Sequence, residues 1–123
     1  MGRMVDGEWR AGNVTDDAEG GSFKRQNAGF REWVTADGGP GPEGQPGRPA
    51  AAGRYHLYVS YACPWAHRTL IVRALKRLDG MIGVSIVDPV MREHGWTFGT
   101  ARGGTGDPLH GADYLWQLYL RAR

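Results

Sequence analysis

The chain has 123 residues and a formal net charge of +2, from 15 basic and 13 acidic side chains. This length suits one small domain, and the near balance of charges argues against a nucleic-acid-binding protein. The sequence has no apolar run long enough to cross a bilayer and no apolar signal-peptide core, and its single cysteine suits a reducing compartment, so we expect a cytoplasmic protein with no membrane partner.

Glycine and proline are concentrated in particular parts of the chain. Residues 36–49 are a low-complexity loop, and a second glycine-rich stretch covers residues 99–106. Little apolar pattern precedes residue 54, too little to offset the entropy of ordering the chain. We therefore predict a largely irregular N-terminal arm and Gly/Pro-rich loop over residues 1–53, with the folded material mostly in residues 54–98 and 112–121.

The first predicted elements are a strand and a helix that meet near the cysteine. The apolar residues 55–59 predict a strand, and Cys63 then caps a helix whose first residue is Pro64. Apolar side chains recur in this helix at spacings of three and four, as is typical of an amphipathic helix: Ala66, Leu70, Ile71, Ala74, Leu75 and Leu78. We predict that Gly80 ends the helix.

A second strand and a second helix follow. Residues 82–87 alternate and are rich in β-branched side chains, and Asp88-Pro89 ends the strand. Strand, helix and strand within about 35 residues predict a βαβ unit with parallel strands and a right-handed crossover. Apolar side chains at helical spacing predict another helix over residues 112–121, with Asp113 as its cap.

Cys63 is the candidate nucleophile. The N–H groups of the helix's first turn carry partial positive charge, which favours a thiolate over a thiol. The alternative is that Cys63 fills the core, as free cysteines often do. No second cysteine completes a Cys-x-x-Cys pair, so a mixed disulfide at Cys63 must be resolved by an external thiol. This pattern favours a small thiol cofactor over a dithiol oxidoreductase.

Trp96 is the second candidate site residue, in the loop of residues 93–98 after the second strand. An aromatic side chain there can close over a ligand at the carboxyl ends of parallel strands, and the alternative is ordinary packing. The four histidines show no metal-ligand spacing with Cys63, so we expect no metal site.

Three segments resemble one known family. Residues 55–73, YHLYVSYACPWAHRTLIVR, are followed at the family's usual distance by Gly95-Trp96-Thr97-Phe98, and residues 23–34 look like the family's amino-terminal arm. The family is the glutathionyl-hydroquinone reductases, the xi-class branch of the glutathione transferases related to the omega class.

The resemblance implies an α/β fold of thioredoxin-like type, here an incomplete β-α-β-α half over residues 54–123, which a larger helical domain follows in the family. It implies that Cys63 is the catalytic residue, that Trp96 belongs to the glutathione pocket and that glutathione is the co-substrate. The implied activity is reduction of glutathionyl-hydroquinones through a cysteine-glutathione mixed disulfide, in a protein that is usually a homodimer.

The sequence departs from the family's pattern at its end. A further β-β-α unit with a cis-proline, the Glu-Ser pair that binds the γ-glutamyl group, and the helical domain should follow Arg123. We therefore expect an N-terminal fragment that alone binds glutathione weakly or not at all and has little reductase activity. The alternatives are an inactive truncated fragment or a non-catalytic module, and an omega-type thiol transferase or dehydroascorbate reductase.

Overall fold

The computed structural model describes residues 2–12 and 27–122. In these ranges the chain forms short strands and two helices: β1 (Gly2–Val5), β2 (Glu8–Ala11), β3 (Trp33–Thr35), β4 (Gly47–Pro49), β5 (His56–Val59), α1 (Pro64–Leu75), β6 (Gly83–Ile86) and α2 (Leu115–Arg121). The predicted α/β order of strand, helix, strand and helix is confirmed as β5, α1, β6 and α2. Part of the predicted arm, residues 23–26, lies outside the described ranges.

β5 and β6 are the parallel pair of the predicted βαβ unit. Val59 lies opposite Ile86, and the Val87 N–H continues the pairing by donating to the Val59 carbonyl oxygen at 2.9 Å. Among the described residues the buried apolar side chains are Val59, Val87 and Phe98. The core therefore lies at the carboxyl end of this strand pair, where the segments that carry Cys63 and Trp96 begin.

α1 begins where the sequence predicts, with Cys63 as its N-cap and proline in its first turn. The helix has no buried side chain, and two members of its predicted apolar stripe, Ile71 and Leu75, are 44% and 77% exposed. The described residues therefore leave an apolar face of α1 open, although its sequence pattern is typical of a helix that packs on a core.

The end of α1 differs from the prediction. Gly80 does not end the helix, which stops at Leu75, and Arg77 takes a left-handed conformation with a φ of 55°. The Leu78 N–H donates to the Arg73 carbonyl oxygen at 2.9 Å, which is the long hydrogen bond of a Schellman motif. The prediction was wrong because an arginine occupies the position where glycine is usual.

α2 starts at Leu115 rather than at residue 112, and its N-cap is Tyr114, so the prediction of Asp113 as the cap is wrong. The Gln117 side-chain oxygen accepts hydrogen bonds from the N–H groups of Asp113 at 2.9 Å and Tyr114 at 3.0 Å. A glutamine that reaches back in this way is the second half of a capping box. It fixes the start of α2 next to the segment that carries Trp96.

The N-terminal arm is more regular than predicted. β1 and β2 form an antiparallel hairpin in which Val5 lies opposite Glu8, and the turn residues Asp6 and Gly7 have φ values of 50° and 83°. Positive φ at both positions is the type I′ turn that Asp-Gly favours, so the sequence contained a hairpin signal. β3 and β4 add a short parallel pair farther along the arm.

Candidate active site

A tight turn between β5 and α1 places Cys63. The Cys63 N–H donates to the Ser60 carbonyl oxygen at 3.1 Å, and the Ala62 N–H donates to Ser60 Oγ at 3.2 Å. Ser60 itself is 3% exposed, so its hydroxyl is a buried anchor for the turn. The turn is thereby fixed from the core side, and Cys63 is presented half-buried at the start of the helix.

The charges nearest to Cys63 along the chain come from the first turns of α1. Its side chain makes no capping hydrogen bond, and the first turn of α1 contains no acidic residue. The partial positive charge at a helix N-terminus is therefore not offset by a carboxylate in that turn. One turn farther on, the Arg68 guanidinium lies over the Trp65 ring, 4.7 Å from its centroid, and adds a cation on the same end of the helix.

The segment that carries Trp96 leaves the sheet at the same edge as the Cys63 turn, because β5 and β6 are parallel. We call residues 88–98 the Trp96 loop. Its ends meet where the Asp88 N–H donates to the Thr97 carbonyl oxygen at 2.8 Å, and the Leu115 N–H donates to the Trp96 carbonyl oxygen at 3.0 Å. The loop is thus held between the end of β6 and the start of α2.

The Trp96 side chain is half-buried and lines a cavity of about 350 Å³. Its other walls come from the hairpin, the Trp96 loop and α2, and include Met4, Trp9 and Trp116. Cys63 is not among the lining residues. The structure therefore brings the segments of the two predicted site residues to one edge of the sheet, and gives Trp96 a separate aromatic environment.

Trp9 is a residue at this site that the sequence analysis missed. Its indole Nε1–H donates to the Glu93 carbonyl oxygen at 2.8 Å, and its ring stacks on Trp116 with centroids 6.4 Å apart. The hairpin is thus hydrogen-bonded to the Trp96 loop through Trp9. The Asp-Gly turn at residues 6–7 predicts the hairpin, but no local signal predicts where it docks.

Two carboxylates at this end of the molecule have lowered pKa values. The hydrogen bond from Arg102, followed by that from the Val90 N–H, holds the pKa of Asp88 below its usual value. Burial acts to raise the pKa of Asp107, but hydrogen bonds donated by the Ala112 N–H and by the Tyr58 hydroxyl outweigh burial and lower it. Both side chains are therefore anionic hydrogen-bond acceptors at neutral pH.

Tyr58, which lies on β5, is a hydrogen-bond partner of Asp107. Its hydroxyl donates to Asp107 Oδ1 at 2.9 Å. Burial, and next the hydrogen bond to Asp107, raise the pKa of Tyr58 to about 12. The phenol is therefore a hydrogen-bond donor at neutral pH, and it connects β5 to the segment leading into α2.

Within residues 2–12 and 27–122, no three or more His, Cys, Asp or Glu side chains converge as a metal site would require. In the same part of the chain, neither helix has the length and apolar character needed to cross a membrane.

No family model matches the chain, but individual relatives do. The glutathionyl-hydroquinone reductase YqjG of Escherichia coli is 53% identical over 123 residues, which are 99% of this chain and 38% of that protein. The glutathionyl-hydroquinone reductase PcpF of Sphingobium chlorophenolicum is 45% identical over 122 residues, 99% of this chain and 36% of the relative. The chain is homologous to the amino-terminal third of the Xi-class glutathione transferases. It spans little more than a third of the length of these relatives.

Solved Xi-class structures agree with the fold. The Xi-class glutathione transferase of Natrialba magadii matches with a TM-score of 0.78 at 52% identity, over 99% of this chain and 36% of that one. The glutathione-bound Escherichia coli protein matches with a TM-score of 0.70 at 59% identity, over 75% of this chain and 30% of that one. The resemblance and the incomplete thioredoxin-like fold predicted from the sequence are thereby confirmed, and the relatives are enzymes. The roles of Cys63 and Trp96 stay predictions.

Proposed function

We propose that this chain carries the reactive thiol and part of the glutathione pocket of a reductase that converts glutathionyl-hydroquinones into hydroquinones. In this proposal Cys63 is the nucleophile, Trp96 contacts glutathione, and no metal takes part. The placement of Cys63 as the N-cap of α1, directly after a parallel strand, is the observation that carries the proposal. The names of the relatives and the glutathione-bound homologous structure support it.

The chemistry follows from a thiolate with no neighbouring thiol. The Cys63 thiolate attacks the sulfur that joins glutathione to the aromatic ring, and a disulfide bond forms between Cys63 and glutathione. The bond between that sulfur and the ring carbon breaks, and the ring leaves with the electron pair and takes up a proton as the hydroquinone. A second glutathione thiolate then attacks the mixed disulfide, releasing oxidised glutathione and regenerating Cys63.

The setting of Cys63 supports each step. Cys63 is half-buried rather than enclosed in the core, and hydrogen bonds to Ser60 fix the turn that leads to it. The first turn of α1 has no carboxylate to repel the thiolate, and Arg68 at the same end of the helix attracts the anionic carboxylates of glutathione. Assembly of the whole protein as a cytoplasmic homodimer, with glutathione and a quinone-derived conjugate as its partners and no nucleic acid or membrane, belongs to the same proposal.

A single-turnover experiment tests the proposal. The chain is mixed with the glutathione conjugate of hydroquinone, quenched with acid and analysed by mass spectrometry and chromatography. We expect a slow single turnover, because the chain alone is expected to bind glutathione poorly. It should leave one glutathionyl group on Cys63 and one equivalent of hydroquinone, and added glutathione should remove the group as oxidised glutathione. Cys63→Ser is the matched control and should release none. Equal hydroquinone release by Cys63→Ser, or a Cys63 that reacts no faster than free cysteine, would contradict the proposal and favour an inert thiol.

An omega-type thiol transferase or dehydroascorbate reductase is the second candidate. One relative, the glutathione S-transferase omega-like 2 of Schizosaccharomyces pombe, is 48% identical over 111 residues, 89% of this chain and 33% of that protein. The same Cys63 would serve that chemistry. Comparison of glutathionyl-hydroquinone with dehydroascorbate, at equal concentrations of chain and glutathione, separates the two candidates by which compound is reduced faster.

A further inference from the structure

The carboxylate of Asp88 is buried at the carboxyl end of β6 and fully occupied. It is 3% exposed. Its Oδ1 accepts from the Val90 N–H at 2.8 Å and from Arg102 Nε at 3.1 Å, and its Oδ2 pairs with Arg102 Nη2 at 3.0 Å. Such a two-point contact fixes both the distance and the orientation of the guanidinium.

Asp88 holds both ends of the Trp96 loop. Its side chain binds the N–H of Val90 near the start of the loop, and its backbone N–H binds the carbonyl oxygen of Thr97 next to Trp96. A shift of Asp88 must therefore move Val90 or Thr97, and Thr97 directly follows Trp96. The backbone that follows Trp96 is thus held by Asp88.

Arg102 reaches Asp88 from a second loop, residues 99–106, which is itself fixed to β6. The Thr105 N–H donates to the Ile86 carbonyl oxygen at 2.9 Å, and Thr105 Oγ1 accepts from the Ile86 N–H at 2.9 Å. The loop is tight, since a Cβ added at Gly104 would lie 2.0 Å from the Gly99 carbonyl oxygen. Arg102 thus connects the anchored loop of residues 99–106 to the carboxylate of Asp88.

We propose that Arg102, acting through Asp88, is a positioning residue for glutathione recognition by Trp96. The proposal rests on the function proposed above, because it requires Trp96 to contact glutathione. Arg102 is linked to the Trp96 loop and not to the turn that holds Cys63. Its loss should therefore weaken recognition of glutathione and leave the intrinsic reactivity of the thiol unchanged.

Two disulfides and one alkylating agent distinguish these effects. With glutathione disulfide, the Cys63 thiolate forms a mixed disulfide and one glutathione thiolate leaves; hydroxyethyl disulfide undergoes the same exchange without any peptide to recognise. Iodoacetamide reports the thiol alone. For the whole chain and each variant, the rates of all three reactions give the preference for glutathione disulfide over hydroxyethyl disulfide.

We expect Arg102→Ala to reduce this preference about tenfold or more, since displacements of about 1 Å can change rates about a hundredfold. The alkylation rate should not change. Arg102→Lys keeps the charge but loses the two-point contact, so its preference should lie between those of Arg102→Ala and the unsubstituted chain. Arg48→Ala removes an exposed ion pair with Glu32, at 3.8 Å, and should match the unsubstituted chain.

Each other result overturns the inference. Arg102 is 47% exposed, so its truncation leaves no hole in the core, and circular dichroism verifies folding; if Arg102→Ala does not fold, Arg102→Lys carries the test. An unchanged preference in the folded variants contradicts the positioning role. Equal loss of all three rates would indicate a purely structural role. Absence of any preference in the unsubstituted chain would overturn the inference, because Trp96 would then not recognise glutathione in this chain. That result needs no variant, and the single-turnover experiment tests the chemistry of Cys63 separately.

Discussion

At Gly95, next to Trp96, the backbone conformation and the packing both restrict which residue can occupy the position. Its φ is 73°, and a Cβ placed on it would lie 2.8 Å from Cη2 of Trp9. Only glycine adopts this conformation without steric cost. The residue therefore allows the turn of the Trp96 loop to approach the indole ring of the hairpin.

We expect Gly95→Ala to lower the free energy of unfolding by about 2 kcal/mol or more, since a left-handed alanine and a crowded contact both contribute. Gly53→Ala is the matched control. Gly53 has a similar φ of 75° and no atom within 4 Å of an added Cβ, so its cost should be about 1 kcal/mol. Urea unfolding of both variants measures the difference.

A double variant locates the origin of that difference. In a Trp9→Ala background the cost of Gly95→Ala should fall to that of Gly53→Ala, because the crowding atom is gone. An unchanged cost in that background would show that the hairpin does not press on the Trp96 loop in solution.

Among the elements, α1 shows where local reasoning succeeds and where it stops. The N-cap at Cys63 and the start of the helix at Pro64 were predictable, because capping depends on residues adjacent in the chain. The end of the helix was not, because Arg77 has no sequence feature that favours the left-handed region. The packing of Trp9 on the Trp96 loop was not predictable from local sequence either, because the hydrogen-bond partner of Trp9 lies 84 residues away in the chain.

Arg77 offers a stabilising substitution at the end of α1. Its left-handed φ of 55° is unfavourable for an L-residue, so Arg77→Gly should raise the free energy of unfolding by about 0.5–1 kcal/mol, net of the added freedom of the unfolded chain. Thermal unfolding monitored by circular dichroism measures the change.

The adjacent position provides the control for that substitution. Lys76 has a φ of −86°, where glycine brings no steric relief, so Lys76→Gly should destabilise by about 0.5–1 kcal/mol. Arg77→Gly and Lys76→Gly with shifts of the same sign would contradict the left-handed C-terminal motif.

At the scale of the whole molecule, hydrogen bonds and an ion pair connect segments that share only a small apolar core. Among the described residues, the buried apolar side chains are those of Val59, Val87 and Phe98. Asp88 joins β6 to the loop of residues 99–106, and Asp107 joins β5 to the segment before α2. Stability should therefore respond to pH at both extremes.

The sign of each response follows from the direction of the pKa shift. The pKa values of Asp88 and Asp107 lie below 3.8 in the fold, so the stabilisation they supply is complete above that value and is lost as the pH falls below it. Tyr58 is the opposite case. Its pKa rises from 10.0 to about 12 on folding, so the fold favours the neutral phenol, and stability declines as the pH rises from 10.0 towards about 12.

Tyr58→Phe tests the alkaline response. At neutral pH it should cost about 1–2 kcal/mol, because Asp107 loses one of its donors, but between about pH 9 and about pH 11 it should lose less stability than the unsubstituted chain. Urea unfolding at both pH values measures the two slopes. Tyr61→Phe, at a tyrosine that is 67% exposed, is the control and should keep the unsubstituted slope. If Tyr58→Phe keeps that slope as well, the Tyr58 hydroxyl is not held by Asp107, and the link between β5 and the segment before α2 must reside in the backbone hydrogen bonds that Asp107 accepts there.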